Sequence, residues 1–359
     1  MHKTILNTKP IEDFTRTPLF FGASGLSIQR YDKFRYPALF DMFTKHISCF
    51  WRPEEVDLQK DRGDFKLLSE HEKFIFTKNL GYQILLDSVQ SRGISNLLEY
   101  CTNQEVEVFA KTWEFFETLH SYSYTYIIKN IYPDPSHVFD TIMKDEEILK
   151  RASSVTKYYD LLINEIPDET DHDKRKKLYL TLISINILEG IRFYVSFACS
   201  YCFAQNKKME GNAKIISYIN RDENIHLGFT SFILRVFRSE WEEGFQDIVE
   251  ECADIVKQMY IDAAQEEIEW AEYLFKDGSI IGLNTEILIQ YMKWLTNNRM
   301  KVIGIEPIFE KVQNPISWIN VWTGGSTSLQ VAPQETEIES YVVGSFKQDI
   351  DDEDWSDFG

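Results

Sequence analysis

Proline is scarce in this 359-residue chain, and its ten positions are uneven. They fall at 10, 18, 37, 53, 133, 135, 167, 307, 315 and 333, leaving 54–132 and 168–306 without one. Proline is excluded from helix interiors, so both blocks can hold long helices. Cysteine is also sparse: five residues make no even disulfide framework, which points to a reducing compartment. Cys199-Ser-Tyr-Cys202 has redox-motif spacing but lies in an apolar helical run, so core packing is expected. Basic residues are outnumbered, 38 against 57 acidic ones, for a net charge of −19. A nucleic-acid binder needs a basic stripe, and that class is excluded. Docking on an anionic membrane surface is disfavoured for the same reason. The most apolar stretch, 187–204, carries Glu189 and Arg192, which argues against a bilayer span. The first ten residues show no apolar signal core. A cytoplasmic protein is the expectation. Hairpin signals such as Asp-Gly are rare too, so the expected fold class is all-α.

What is present agrees. Apolar residues make up 43% and aromatics 14%, enough to bury a large core. Ser69-Glu-His-Glu72 resembles a capping box, and Phe74, Leu80, Ile84, Leu85 and Val89 follow at helical spacing. Residues 104–131, 174–206, 211–238, 245–276 and 284–303 carry the same period. Residues 1–30 read as an irregular arm, 31–320 as the helical domain and 321–359 as a flexible acidic tail. From Glu335 onward there are nine acids and one lysine. Trp355 and Phe358 among those acids suit a docking peptide better than a purely solubilising tail.

The chemistry lies in Glu117-Thr-Leu-His120 and Glu223-Asn-Ile-His226. Residues three apart share a helix face, so each pair offers a carboxylate and an imidazole to one ion. Chance alone predicts about 0.6 such matches in this composition. Glu169-Thr-Asp-His172 is one of these, in a polar run with no apolar face, and reads as solvated. The other two sit on amphipathic helices. Each also has a carboxylate upstream in an apolar run, Asp87 and Glu189. Ionised carboxylates are rarely buried without a partner or a metal. The midpoint between Asp87 and Glu117 falls at Thr102-Asn103, and that between Glu189 and Glu223 at Asn206. Both are polar breaks, so two helical hairpins would each bring their acids to one level. Together they enclose four carboxylates and two histidines, the ligand set of a dinuclear carboxylate site in a ferritin-like bundle. Two divalent ions would balance four carboxylates, and mixed nitrogen and oxygen ligands suit iron or manganese. At 100° per residue Tyr124 falls about 20° from Glu117 on the helix wheel, while Tyr122 points away. A phenol beside an oxygen-activating metal pair can be oxidised to a radical. Phe193, Phe197 and Ile219 are spaced to wall it in, although core packing would explain them equally well.

These residues resemble the small, radical-generating subunit of class I ribonucleotide reductase, in its enteric-bacterial and large-phage forms. The stretches that carry the resemblance are Phe50-Trp-Arg-Pro-Glu-Glu-Val-Asp57, Leu85-Leu-Asp-Ser88 and Glu117-Thr-Leu-His-Ser-Tyr-Ser-Tyr124, then Leu188–Ala198, Arg221–His226 and Val331-Ala-Pro-Gln-Glu335. The resemblance implies a ferritin-like bundle holding an oxo-bridged pair of iron ions. Asp87, Glu117 and His120 would hold one, and Glu189, Glu223 and His226 the other. Two ferrous ions would give O2 two electrons, an external donor a third through Trp51, and Tyr124 the fourth. Asp222 would accept a hydrogen bond from the outer nitrogen of His120. Tyr341, assisted by Glu335, would carry the oxidising equivalent to a separate large subunit, onto which the C-terminus docks. A homodimer is implied as well. Two departures stand out: a short link between Asn164 and Asp173, and an unusual ending, Asp354-Trp-Ser-Asp-Phe-Gly359. From the ligands alone, a ferroxidase or a di-iron oxygenase stays open, since either uses the same bundle.

Overall fold

The computed structural model describes residues 7–8, 13–22, 27–164 and 167–323. Every regular element among them is helical, joined by two isolated β-bridges. Helix α1 spans Pro37–Ser48, α2 Gln59–Leu67, α3 Glu70–Gly93 and α4 Gln104–Ile131. Next come α5 at Pro135–Ile142, α6 at Glu146–Ile163, α7 at Asp171–Ile187 and α8 at Tyr194–Gln205. Then follow α9 at Glu210–Ser239, the short α10 at Gln246–Glu251, α11 at Ala253–Leu274 and α12 at Thr285–Val302. Helices α3 and α4 pack as one hairpin, and α8 with α9 as the other. Helix α1 lies across α4 and α9, while α6, α11 and α12 close the outside.

The boundaries follow local chemistry. Ser69 accepts from the Glu72 amide, and Glu72 returns the bond, so the expected capping box opens α3. Asn103 takes the amides of Glu105 and Val106 at 2.9 and 3.1 Å and opens α4. Thr170 and Asp173 form a second capping box at α7. Helix α9 is opened differently. Met209 ahead of it is left-handed, with φ 54°, and provides no side-chain cap. Asp61 of α2 accepts from the Gly211 and Asn212 amides instead, at 3.0 and 2.6 Å. Gly211 is required there, because a Cβ would lie 2.8 Å from the Asp57 carbonyl oxygen.

Two expected helices are interrupted. The 245–276 stretch divides at Cys252 into α10 and α11. The 174–206 stretch contains a π-helical turn, Leu188–Arg192, between α7 and α8. That continuous stretch, Asp171–Gln205, is long and apolar enough to cross a membrane; its 18-residue apolar window is wholly buried inside the protein, while Asp171, His172 and Asp173 at its start are exposed. Cys199 and Cys202 are buried and unpaired within it, as core packing requires. Residues 13–22 are held against the body: Thr102 donates to the Pro18 carbonyl, and the Leu19 amide to Glu243. At the far end Trp322 stacks on Tyr201 at 5.2 Å, so the helical body reaches Thr323. Glu335, Tyr341 and the rest of the expected docking tail lie outside the described residues.

Candidate metal centre

The six expected ligands converge between α3, α4, α9 and the π turn, and all are fully buried. Two overlapping sets form. One is Asp87, Glu117, His120 and Glu223; the other is Glu117, Glu189, Glu223 and His226. Within each set the ligand atoms lie within 4.8 Å of one another. Glu117 and Glu223 belong to both, so each can bridge. His120 Nδ1 is 3.1 Å from Glu223 Oε1 and 3.5 Å from Glu117 Oε2. His226 Nδ1 is 2.7 Å from Glu223 Oε2, 3.2 Å from Glu117 Oε1 and 3.8 Å from Glu189 Oε2. Both imidazoles therefore turn the same nitrogen inward.

The residues fit a pair of metal ions. Both Asp87 oxygens, Glu117 Oε2, Glu189 Oε2, Glu223 Oε1 and His120 Nδ1 are buried without a hydrogen-bond partner. Native proteins seldom leave so many polar atoms unpaired in one place. Burial, then mutual repulsion, raises the Asp87 and Glu189 carboxyls well above their ordinary range. Burial opposes charge on the histidines, yet the surrounding carboxylates raise both His120 and His226 well above the usual 6.5. A cluster that retains protons in this way exchanges them for metal charge.

The family described as ribonucleotide reductase, small chain, matches residues 29–315. The chain belongs to that family. Ribonucleoside-diphosphate reductase 1 subunit beta of Escherichia coli O157:H7 is 46% identical over 376 residues, spanning 99% of both chains. The subunit beta of Enterobacteria phage T4 is 41% identical, spanning 97% of both. The ribonucleotide reductase R2 subunit from Clostridium botulinum superposes with a TM-score of 0.80 at 28% identity. That match covers 90% of this chain and 98% of the other.

In this small chain Tyr124 is completely buried one turn beyond His120 on α4. Burial and the carboxylates of Asp87, Glu223 and Glu117 hold its phenol protonated, with a pKa well above 10. Phe193, Phe197 and Ile219 are also fully buried, the two phenylalanines stacked at 5.6 Å. Asp222 joins two expected residues. Its Oδ2 lies 3.2 Å from His120 Nε2 and accepts from the Trp51 indole N–H at 2.8 Å. Arg221 pairs with its other oxygen at 3.2 Å. The third Glu-x-x-His match holds no such cluster: His172 is exposed and pairs with Glu251, while Glu169 pairs with Lys177.

The structure adds residues that the spacing argument missed. Trp113 donates to Glu117 Oε1 at 2.7 Å. Gln90 donates to Glu189 Oε1 and accepts from the Tyr159 hydroxyl. Gly93 makes room for that tyrosine, because a Cβ would sit 2.3 Å from its ring. Both contacts had a sequence signal: Trp113 stands four before Glu117 and Gln90 three after Asp87, on the ligand faces. Arg192, within the π turn, pairs with Glu266 at 2.7 Å and lies 4.0 Å from Glu267. Tyr82 donates to Glu267 at 2.6 Å. Burial lifts Glu267 to about 7 despite the nearby Arg192. Finally His46, from α1, reaches the site, buried between Phe116 and His226.

Proposed function

We propose that this chain is the radical-generating small subunit of a class I ribonucleoside-diphosphate reductase. The observation that carries the reading is Tyr124, wholly enclosed on the face of α4 that supplies Glu117 and His120. Asp87, Glu117, His120, Glu189, Glu223 and His226 would hold two iron ions, with manganese as the alternative. When bound, the metal pair supplies the oxidising power, drawn from O2, that removes an electron from Tyr124. The protein's part is placement and exclusion of water. Phe193, Phe197 and Ile219 are the wall that keeps reductants from the radical, a role supported by their complete burial. The buried phenol must lose a proton as well as an electron, and the Asp87 carboxylate is the neighbour placed to influence it. Trp51 is the electron relay. Its bond to Asp222, and through it to His120, gives a continuous polar contact from α4 to the chain between α1 and α2.

The same reading assigns the acidic C-terminus to docking on the large catalytic subunit, with Tyr341 and Glu335 in the transfer path. The helical domain and the tail would then work as separate units, one making the radical and the other delivering it. Exposed Ile47, Phe50 and Phe115 line a groove of about 430 Å³ with Val108, Lys111, Thr112 and Phe116. A second copy of the chain is the proposed occupant. A ferroxidase or oxygenase would share the metal ligands but leave the Trp51–Asp222–His120 line without a use.

Tyr124→Phe tests the assignment. After Fe(II) and O2 are added to apo-protein, the variant should keep two metals and lose the tyrosyl signal in electron paramagnetic resonance. Reductase activity with the large subunit should vanish with it. A surviving radical signal would overturn the reading. Removal of 340–359 should instead preserve the radical and abolish complex formation.

A further inference from the structure

We propose that His46 is the positioning partner of His226, accepting a hydrogen bond from its outer Nε2–H once Nδ1 holds a metal ion. The inference rests on the metal-site reading above. Nε2 of His226 is buried and has no hydrogen-bond partner. Both nitrogens of His46 share that condition, and its side chain is wholly buried. The two rings are 4.9 Å apart, edge against face at 73°. Phe116 stacks on His46 at 3.8 Å, and Phe109 lies 5.8 Å away on a near-parallel plane. Aromatic packing alone would be better served there by phenylalanine, which carries no nitrogen to desolvate.

The need for an acceptor follows from the ligand geometry. His226 turns Nδ1 toward Glu223, Glu117 and Glu189, so a bound ion takes that atom. A neutral imidazole bound through Nδ1 carries its proton on Nε2, and the partner of that proton fixes the ring's tautomer and orientation. His120 meets this requirement with Asp222. On the His226 side, His46 offers the unpaired polar group. A neutral imidazole presents a lone pair on one of its two nitrogens, and neither nitrogen of His46 is engaged elsewhere. The two ions would then have different surroundings: one imidazole is backed by a carboxylate, the other by a neutral ring.

Titration of Mn(II) into full-length apo-protein, with free Mn(II) read by electron paramagnetic resonance, tests this. His46→Phe keeps the ring and removes the acceptor. It should weaken one of the two ions about 10–100-fold, the usual effect of losing such a partner. The apo-protein's thermal midpoint should not fall. His46→Gln restores an acceptor and should return the affinity to within about threefold of wild type. If Phe is too bulky to fold, His46→Leu takes its place with the same expectation. Two ions bound equally well by wild type and the Phe variant would overturn the inference alone. So would a Gln variant as weak as Phe, since packing rather than hydrogen bonding would then be responsible. Wild-type protein that bound no ions would overturn the metal-site reading as well.

Discussion

The two helical hairpins supply matching ligands from unlike surroundings. In the first, Asp87 and Glu117–His120 sit on regular α-helices, α3 and α4. In the second, Glu223–His226 sits on regular α9, but Glu189 lies in a π turn. The outer nitrogen of His120 meets Asp222, which is also bonded to Trp51. That of His226 meets no hydrogen-bond partner and faces rings: Trp113 at 4.8 Å and His46 at 4.9 Å. The first half is thus connected to a polar line and the second is enclosed by aromatic packing. A repeated motif in sequence therefore does not mean a repeated function in the fold. On the proposed function, one hairpin would serve electron entry and the other would hold a shielded ion.

The comparison can be broken where the halves share atoms. Glu223→Ala removes a carboxylate from both ligand sets and should abolish binding of both ions. Asp87→Ala and Glu189→Ala should each weaken one ion only. Metal analysis of the purified variants separates these outcomes, and two retained ions in Glu223→Ala would refute the sharing. The next effect belongs to the second half, where Glu267 supports Arg192 of the π turn. Its folded pKa of about 7 lies above the ordinary 4.5. Its contribution to stability is therefore present below about pH 4.5 and lost progressively as pH rises to 7. The full change is on the order of 3 kcal/mol. Glu267→Gln should flatten this dependence in urea unfolding of apo-protein between pH 5 and 8, roughly the window in which it is lost. An unchanged slope would remove Glu267 as its source. A smaller effect tests the first half. Asp222→Asn should weaken only the ion held by His120, about 10–100-fold, the mirror of the His46 result. The smallest is Trp51→Phe, which loses one buried hydrogen bond and should cost about 1 kcal/mol of stability. Metal stoichiometry should be untouched while stopped-flow formation of the Tyr124 radical slows.

Much of this was legible in the sequence because polar residues punctuate the helices. Asn103 and Gln205–Lys208 mark the hairpin turns, and α4 runs over 104–131 as its apolar period indicates. The ligands were legible because spacing of three and paired upstream acids survive in one dimension. Sharing of Glu117 and Glu223 was not, because bridging depends on the depth at which two helices cross. His46 was hidden for a related reason. It continues the buried face of α1 after Leu39 and Met42, so its spacing matches an ordinary core position. Asp61 capping α9 from another helix leaves no local trace in either segment. The π turn escaped because apolar residues surround it on every face, and periodicity has no contrast there.

That π turn gives the second hairpin a property that no straight helix has. One extra residue advances everything beyond it by about 100° around the axis. Helices α7 and α8 are consequently out of phase with each other although the chain is continuous. Each can seat its own apolar residues against α9 without dictating the aim of the other. Glu189 stands at the phase slip, where neither rotation is binding. The helix behaves there as a vernier, with coarse alignment set by packing on either side and fine pointing left to the ligand.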